Sequence, residues 1–168
     1  MKNNNVKILF FHGLDSSKES TKFHAIHHAH KFCIDMDYRN LNYETVNQLY
    51  QEMVKKIKPN LLVGHSLGGY WALKMSLLFK LPVIVANPSL NPMLADYPEL
   101  SDQFFNHDIP QFAYLELADE LVDMQAVQQR LERFMFVQTY EGGYHHLQYP
   151  EHLNNLIQDV KNRLAGVG

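Results

Sequence analysis

A chain of 168 residues, 46% of them apolar, can bury one sizeable core but is too short for two ordinary domains. We therefore expect a single domain over residues 1–168. The formal charge of -3, with both signs spread along the chain, excludes the basic surface that nucleic acid or an anionic membrane requires. Cys33 is the only cysteine, which excludes an intramolecular disulfide and a zinc site built on several thiolates.

The first predicted element is a buried strand over residues 6–11, followed by a loop that begins His12-Gly13-Leu14. Its apolar run is shorter than a signal-peptide core or a membrane span, so we expect a cytoplasmic protein with no membrane partner. Catalytic loops of open α/β sheets lie at the carboxyl ends of strands. The backbone N–H of Leu14 is therefore a candidate donor to an oxyanion, although His-Gly alone is equally typical of an ordinary turn.

Helical spacing is predicted over residues 20–31, a segment with a cluster of histidines: His24, His27, His28 and His30. Histidines at such spacings can hold a metal. Because no carboxylate completes a zinc-binding pattern, a solvated helix face is the better interpretation, and we expect no metal. A strand over residues 32–36 and a helix over residues 44–57 follow.

The central motif of the chain is Gly-His-Ser-Leu-Gly at 64–68, which follows an apolar run of strand length. Residues 67–79 then have helical composition, so the pattern of strand, sharp turn and helix predicts a nucleophile elbow. The serine of such a turn has a strained backbone, and both flanking glycines let the strand and the helix come close. We predict Ser66 as the nucleophile and the N–H of Leu67 as a second oxyanion donor.

The next apolar run predicts a strand over residues 81–86, and residues 90–108 follow with several pattern breaks and apolar side chains. This segment would either cover the site as a short lid or connect two elements at the surface with its apolar residues docked on the core. Both interpretations stay open. The residues predicted to contact substrate are Leu14, His65, Leu90, Met93 and Leu94.

Asp119 lies directly after a predicted strand over residues 111–117, where a catalytic acid belongs if it follows the serine in chain order. Asp123 is a competing candidate, but its position ahead of a helical run over residues 124–134 suits an N-cap. We therefore favour Asp119 as the acid.

The last predicted strand covers residues 135–140, and a Gly-Gly loop that carries His145 and His146 follows it. A histidine on such a loop can reach across the end of the sheet to the serine, and either of the two could do so. A closing helix begins at Pro150, with apolar side chains that recur at helical spacing.

Alternating strands and helices imply a mainly parallel sheet of about six strands with helices on both faces, the three-layer architecture of a minimal α/β-hydrolase fold. On that sheet Ser66, Asp119 and His145 occur in the order and at the strand ends that a triad requires. His145 would take the Ser66 proton, Ser66 would attack an acyl carbon, and Asp119 would hold the imidazole tautomer. Water would then release the acyl group.

Several stretches of the chain together resemble one family, the small bacterial YqiA/YcfP-type esterases of the α/β-hydrolase superfamily. They are Phe-His-Gly-Leu-Asp-Ser-Ser at 11–17, Gly-His-Ser-Leu-Gly-Gly-Tyr-Trp at 64–71, Asn-Pro-Ser-Leu at 87–90, Asp-Glu-Leu-Val-Asp at 119–123 and Gly-Gly-Tyr-His at 142–145. The resemblance implies hydrolysis of carboxylic esters or acyl-CoA thioesters, a minimal lid and no cofactor. It also supports Asp119 and His145, whereas Ala118 stands where the family usually has glycine.

Two other functions are compatible with the sequence, hydrolysis of an amide bond and a non-catalytic binding protein that keeps the fold. For the hydrolase we expect a serine esterase whose partners are short- to medium-chain acyl esters or thioesters. We expect no cofactor and no nucleic-acid partner. The expected assembly is a monomer or a weak homodimer.

Overall fold

The computed structural model of the protein describes residues 5–166. Its strands are β1 (Ile8–Phe11), β2 (Lys31–Cys33), β3 (Leu61–His65), β4 (Val83–Ala86), β5 (Gln111–Glu116) and β6 (Phe136–Tyr140). Its helices are α1 (Thr21–His24), α2 (Tyr43–Ile57), α3 (Leu67–Phe79), α4 (Met124–Leu131) and α5 (Leu153–Gly166). All strand pairs are parallel, in the order β2-β1-β3-β4-β5-β6. The predicted parallel sheet is confirmed, and the ends of its strands differ from the predicted ones by at most three residues.

Alternate side chains of the strands enter two separate cores, one on each face of the sheet. In β1, Leu9 and Phe11 pack with residues of α2, α3 and α4, whereas Ile8 and Phe10 pack with residues of α5. Because both faces are covered, the central strands are apolar along their whole length, as expected of a buried parallel sheet. The three layers therefore confirm the predicted arrangement of helices on both faces.

Helix α3 has the most central position and is buried on nearly every side from Leu67 to Ser76. A helix that is apolar all round belongs in the interior of a protein. The indole of Trp71 has four aromatic neighbours at centroid distances of 5.1 to 5.9 Å: Tyr43, Tyr50, Tyr70 and Tyr97. Among residues 5–166, no helix has both the length and the apolar character needed to cross a membrane.

The predicted helix over residues 20–31 is wrong, because only Thr21–His24 is helical. The chain must turn back to enter β2 and pair with β1, and this pairing overrides the helical composition of the segment. The Lys31 ammonium stabilises the turn by donating to the carbonyl oxygens of Phe23 and Ile26 at 2.8 and 2.9 Å. The clustered histidines therefore share no helix face. Within the described part of the chain, no three His, Cys, Asp or Glu residues form a group that could hold a metal.

Residues 90–108 lie against the core of the protein. Four of the side chains are buried in the same core as α3: Leu90, Tyr97, Leu100 and Phe105. The N–H of Leu100 donates to the carbonyl oxygen of Leu90 at 2.9 Å, which draws the connection into a closed loop on the surface. These four apolar side chains of the connection are therefore used in packing on the core.

Candidate active site

Ser66 occupies the sharp turn between β3 and α3 with φ 56° and ψ -123°, a conformation that residues other than glycine rarely adopt. A Cβ on Gly64 would collide with the carbonyl group of Gly68, and a Cβ on Gly68 would collide with the carbonyl oxygen of Phe11. The N–H of Ser66 donates to the carbonyl oxygen of Ala86 on β4 at 3.1 Å, which helps to hold the strained turn. The expected strand, turn and helix are therefore present, with the serine at the carboxyl edge of the sheet.

A continuous chain of hydrogen bonds joins Ser66 to His145 and Asp119. The Ser66 hydroxyl lies 2.7 Å from Nε2 of His145, and Nδ1 of the same ring lies 2.7 Å from Oδ2 of Asp119. Because a carboxylate can only accept, Nδ1 carries the ring proton, and Nε2 accepts from the serine hydroxyl. The structure thus brings together the three residues that were predicted to act as nucleophile, base and acid.

The side chain of Asp119 is fully buried and accepts several hydrogen bonds. Burial raises its pKa, but the hydrogen bonds outweigh that effect and hold the pKa below its ordinary value. The donors are the ring of His145, the backbone N–H groups of Val122 and Leu121, and the side-chain amide of Asn87. A negative charge is therefore kept beside the imidazole at neutral pH, where it can stabilise an imidazolium.

The two competing candidates, Asp123 and His146, lie outside this chain of hydrogen bonds. Asp123 is the N-cap of α4 and accepts from the N–H groups of Gln125 and Ala126 at 3.1 and 3.2 Å, so its carboxylate is used in the helix. His146 is exposed, and its ring centroid lies 5.9 Å from that of His145. Of the four candidates for acid and base, Asp119 and His145 form the chain of hydrogen bonds that reaches Ser66.

The loop after β1 positions the N–H of Leu14. Nδ1 of buried His12 donates to the carbonyl oxygen of Gly13 at 2.7 Å, while its Nε2 accepts from the N–H of Met36 at 2.9 Å. In a trans peptide the N–H points opposite to the C=O, so the N–H of Leu14 lies on the side away from His12. Neither this N–H nor that of Leu67, the first residue of α3, has an acceptor among residues 5–166. Both are free to bind a negatively charged oxygen.

A cavity of about 610 Å³ opens beside Ser66. It is lined by Gly13, Leu14, Asp15, Ser16, Lys22, Arg39, His65, Ser66, Leu121, His145 and His146. Two of the predicted substrate contacts, Leu14 and His65, are among these residues.

The other three predicted substrate contacts do not line this cavity. Leu94 packs against the core, and Met93 is 95% exposed. Leu90 and Met93 instead line a neighbouring groove of about 450 Å³, which shares Leu121 with the cavity. The reason is that the connection over residues 90–108 docks on the core instead of reaching over Ser66.

The backbone of His145 is held on both sides. Nε2 of buried His65 donates to the carbonyl oxygen of His145 at 2.6 Å, and the N–H of His145 donates to Glu120 at 3.1 Å. Burial lowers the pKa of His65 to about 3, with a smaller contribution from the charge of Lys22. His65 is therefore a neutral ring that supports the loop of His145.

Glu116, at the end of β5, is a functional candidate that sequence reasoning missed. Its side chain is completely buried and accepts from the hydroxyl of Tyr114 and from the backbone N–H groups of Tyr144, Gln148 and Tyr149, at 2.6 to 3.2 Å. At Gly143, where φ is 79°, a Cβ would collide with this carboxylate. Glu116 therefore holds the loop that carries His145. The available signal was an acidic residue inside an apolar strand.

Asn87, after β4, is a second residue that sequence reasoning missed. Its side-chain amide donates to the carbonyl oxygen of Glu116 at 3.1 Å and to Oδ2 of Asp119 at 2.9 Å. Its Oδ1 accepts from the N–H of Glu116 at 2.8 Å. Asn87 thus joins the ends of β4 and β5 and orients the acid of the site.

The parallel sheet, the turn at Ser66 and the loops at the strand ends are those of an α/β-hydrolase fold, and solved structures confirm this fold. Alpha/beta hydrolase domain-containing protein 10 from mouse has a TM-score of 0.73 at 16% identity, covering 95% of this chain and 91% of that chain. The esterase domain of a Rhodothermus marinus protein has a TM-score of 0.64 at 16% identity, covering 92% of this chain and 87% of that chain.

The chain belongs to the uncharacterised protein family UPF0227, which it matches over residues 7–161. A UPF0227 protein from Shewanella woodyi is 30% identical, over 76% of this chain and 83% of the relative. The family match confirms the resemblance that the sequence motifs indicated.

Replacing Glu116 by glutamine is expected to destabilise the protein by about 1–3 kcal/mol for each buried donor left without an acceptor. In either orientation the new NH₂ group faces at least one backbone N–H of the loop. Urea denaturation measures the change, and hydrogen exchange at Tyr144, Gln148 and Tyr149 locates it. Glu141→Gln is the matched control, because Glu141 is exposed. Equal stabilities of the two variants would show that Glu116 does not hold the loop.

Proposed function

We propose that this protein is a serine hydrolase that cleaves short- to medium-chain acyl esters, with acyl thioesters as a second substrate class. The observation that carries the proposal is the hydrogen-bonded chain from Ser66 through His145 to Asp119 beside an open cavity. A hydroxyl, an imidazole and a buried carboxylate in this order suit acyl transfer. The Rhodothermus marinus protein of similar fold, named as an esterase domain, supports an ester as the bond that is cleaved.

In the first half of the reaction, Nε2 of His145 accepts the proton of Ser66 while the serine oxygen bonds to the acyl carbon. An electron pair of the carbonyl bond moves onto its oxygen, and the N–H groups of Leu14 and Leu67 stabilise that charge. Each such donor typically contributes a rate factor of about 10² to 10³. The bond to the leaving group then breaks, and His145 gives its proton to the departing alcohol or thiol.

In the second half, water attacks the acyl group on Ser66 and loses a proton to His145. Collapse of the second oxyanion breaks the bond to the serine oxygen, which takes the proton back from the ring. Asp119 holds the imidazole in its productive tautomer throughout and balances its transient positive charge. The carboxylic acid leaves, and the starting arrangement is restored.

An apolar surface that can hold the acyl chain lies next to the cavity. Leu121 is 66% exposed and lines both the cavity at Ser66 and the groove that contains Leu90 and Met93. An acyl chain bound to Ser66 passes over Leu121 into this groove. Because the groove measures only about 450 Å³, it favours short to medium chains and provides no large lipid-binding surface.

Ser66→Ala is expected to lower kcat for p-nitrophenyl butyrate by a factor on the order of 10⁴ to 10⁶, because no acyl-enzyme can form. A fluorophosphonate probe should label the wild-type protein at Ser66 and leave the variant unlabelled, as read by mass spectrometry. Ser101→Ala is the control, since Ser101 is exposed and its side chain makes no capping hydrogen bond. A Ser66→Ala variant that keeps most of its activity would falsify the proposed mechanism.

The same chemical change at two nearby acids separates the catalytic role from the structural one. Asp119→Asn should lower kcat by about 10⁴, because the neutral amide no longer holds the imidazole in its productive tautomer. Asp123→Asn should keep kcat and stability close to wild type, because asparagine caps a helix as well as aspartate does. Steady-state kinetics and thermal melting of both variants are the measurements. A larger loss of kcat in Asp123→Asn than in Asp119→Asn contradicts the assignment.

A series of p-nitrophenyl esters tests the groove. Each methylene buried contributes about 0.8 kcal/mol, so kcat/KM should rise by up to about fourfold per methylene until the groove is full. Leu121→Ser should lower the ratio of kcat/KM for hexanoate to that for acetate, and a triglyceride emulsion should be turned over poorly. A flat profile in the wild-type protein, or rapid triglyceride hydrolysis, would contradict the proposed groove.

A further inference from the structure

Two cationic side chains, Lys22 and Arg39, line the cavity at Ser66. The guanidinium of Arg39 is paired, since its Nε and Nη2 donate to the two carboxylate oxygens of Asp15 at 2.5 and 2.7 Å. Both partners of this pair are more than half exposed. Asp15 therefore neutralises the charge of Arg39. The other cationic side chain of the two is Lys22.

Lys22 is only 8% exposed, yet its ammonium has neither a hydrogen-bond acceptor nor a carboxylate within 4 Å in residues 5–166. Burial lowers its pKa. Lys22 and His65 line the same cavity, and the charge of Lys22 contributes to lowering the pKa of His65. The Lys22 ammonium faces the cavity without a partner from the described residues, so it is free to pair with an anionic group that enters.

Lys31, in the same part of the chain, is a lysine whose ammonium has a structural role. Its ammonium is satisfied by two backbone carbonyl oxygens, at 2.8 and 2.9 Å. Lys22 has no such partners, although the hydroxyl of Ser20 holds its backbone N–H at 3.2 Å at the start of α1. The lysine at position 22 is thus positioned by its backbone with its charge left available to the cavity.

Resting on the proposed function, we propose that Lys22 binds an anionic oxygen group, a carboxylate or a phosphate, on the leaving-group half of the substrate. The scissile carbonyl at Ser66 divides an ester into two halves. The acyl half enters the apolar groove past Leu121, so the alcohol or thiol half stays in the cavity that Lys22 lines. The substrate class is therefore a short- to medium-chain acyl ester of a small anionic alcohol or thiol.

The test compares butyryl esters of 4-hydroxybenzoate, 4-hydroxyphenyl phosphate and neutral 4-hydroxybenzamide. The readout is the ratio of kcat/KM for each anionic ester to that for the neutral one. Lys22→Met should lower this ratio by about 10- to 100-fold, the factor expected for one hydrogen bond to a charged group. Lys22→Arg should recover most of it. The anionic ester with the larger ratio identifies carboxylate or phosphate as the preferred group.

Lys18→Met is the matched control, because Lys18 is exposed, lies outside the cavity lining and changes the net charge equally. Its ratio should equal that of the wild-type protein. Loss of folded protein cancels in the ratio, because all esters are measured on the same preparation. A ratio in Lys22→Met within twofold of wild type overturns the role of Lys22 while the hydrolase stands. A wild-type protein that cleaves none of the three esters overturns the proposed function and this inference together.

Discussion

The geometry of the candidate site depends on how closely α3 approaches the end of β1. Gly68 lies against the carbonyl oxygen of Phe11 with no room for a Cβ, so α3 begins beside the strand that leads to Leu14. Strands β1 and β3 are neighbours, with Phe11 opposite Gly64, and the strand order reverses between them. Ligand sites of open α/β sheets form at such reversals. The two free N–H groups, of Leu14 and Leu67, lie at this one.

The other half of the site depends on buried polar groups. Asn87 and Glu116 use nearly all of their hydrogen-bonding capacity to join the ends of β4 and β5 to the loop of His145. Each donor left unpaired in such a buried network costs about 1–3 kcal/mol, so few other arrangements of the loop compete with this one. These hydrogen bonds thereby hold the imidazole in place.

Local sequence patterns were sufficient to predict elements with a periodic apolar pattern and turns that a short motif determines. Helix α3 has the predicted bounds, and the turn at Ser66 follows from its two glycines. Prediction failed where distant contacts decide. Residues 20–31 have helical composition, but pairing of β2 with β1 limits the helix to one turn. For residues 90–108 the sequence left a lid and a docked connection open, because the packing of four of their side chains in the core of α3 depends on distant contacts.

Glu116 and Lys22 were not predicted for the same reason, which is that distant contacts decide their surroundings. The backbone donors that bind Glu116 lie 28 to 33 residues further along the chain, so the apolar strand around it indicates burial but does not identify the loop that it holds. The burial of Lys22 is equally invisible, because a lysine on a short helix is ordinarily solvated. By contrast, the placement of Asp119 next to a strand end was readable from the sequence, because parallel strands align their carboxyl ends at one edge of the sheet.

The hydrogen bonds of Glu116 also bear on the order in which the protein folds. In a chain folded only as far as β5, water would solvate this carboxylate, because the groups that cover it come from the loop after β6. Docking of β6 and the loop after it supplies the three backbone donors and, in the same step, brings His145 to Ser66. Burial of Glu116, completion of the sheet and the contact between His145 and Ser66 therefore depend on the same segment of the chain, the residues from β6 to Tyr149.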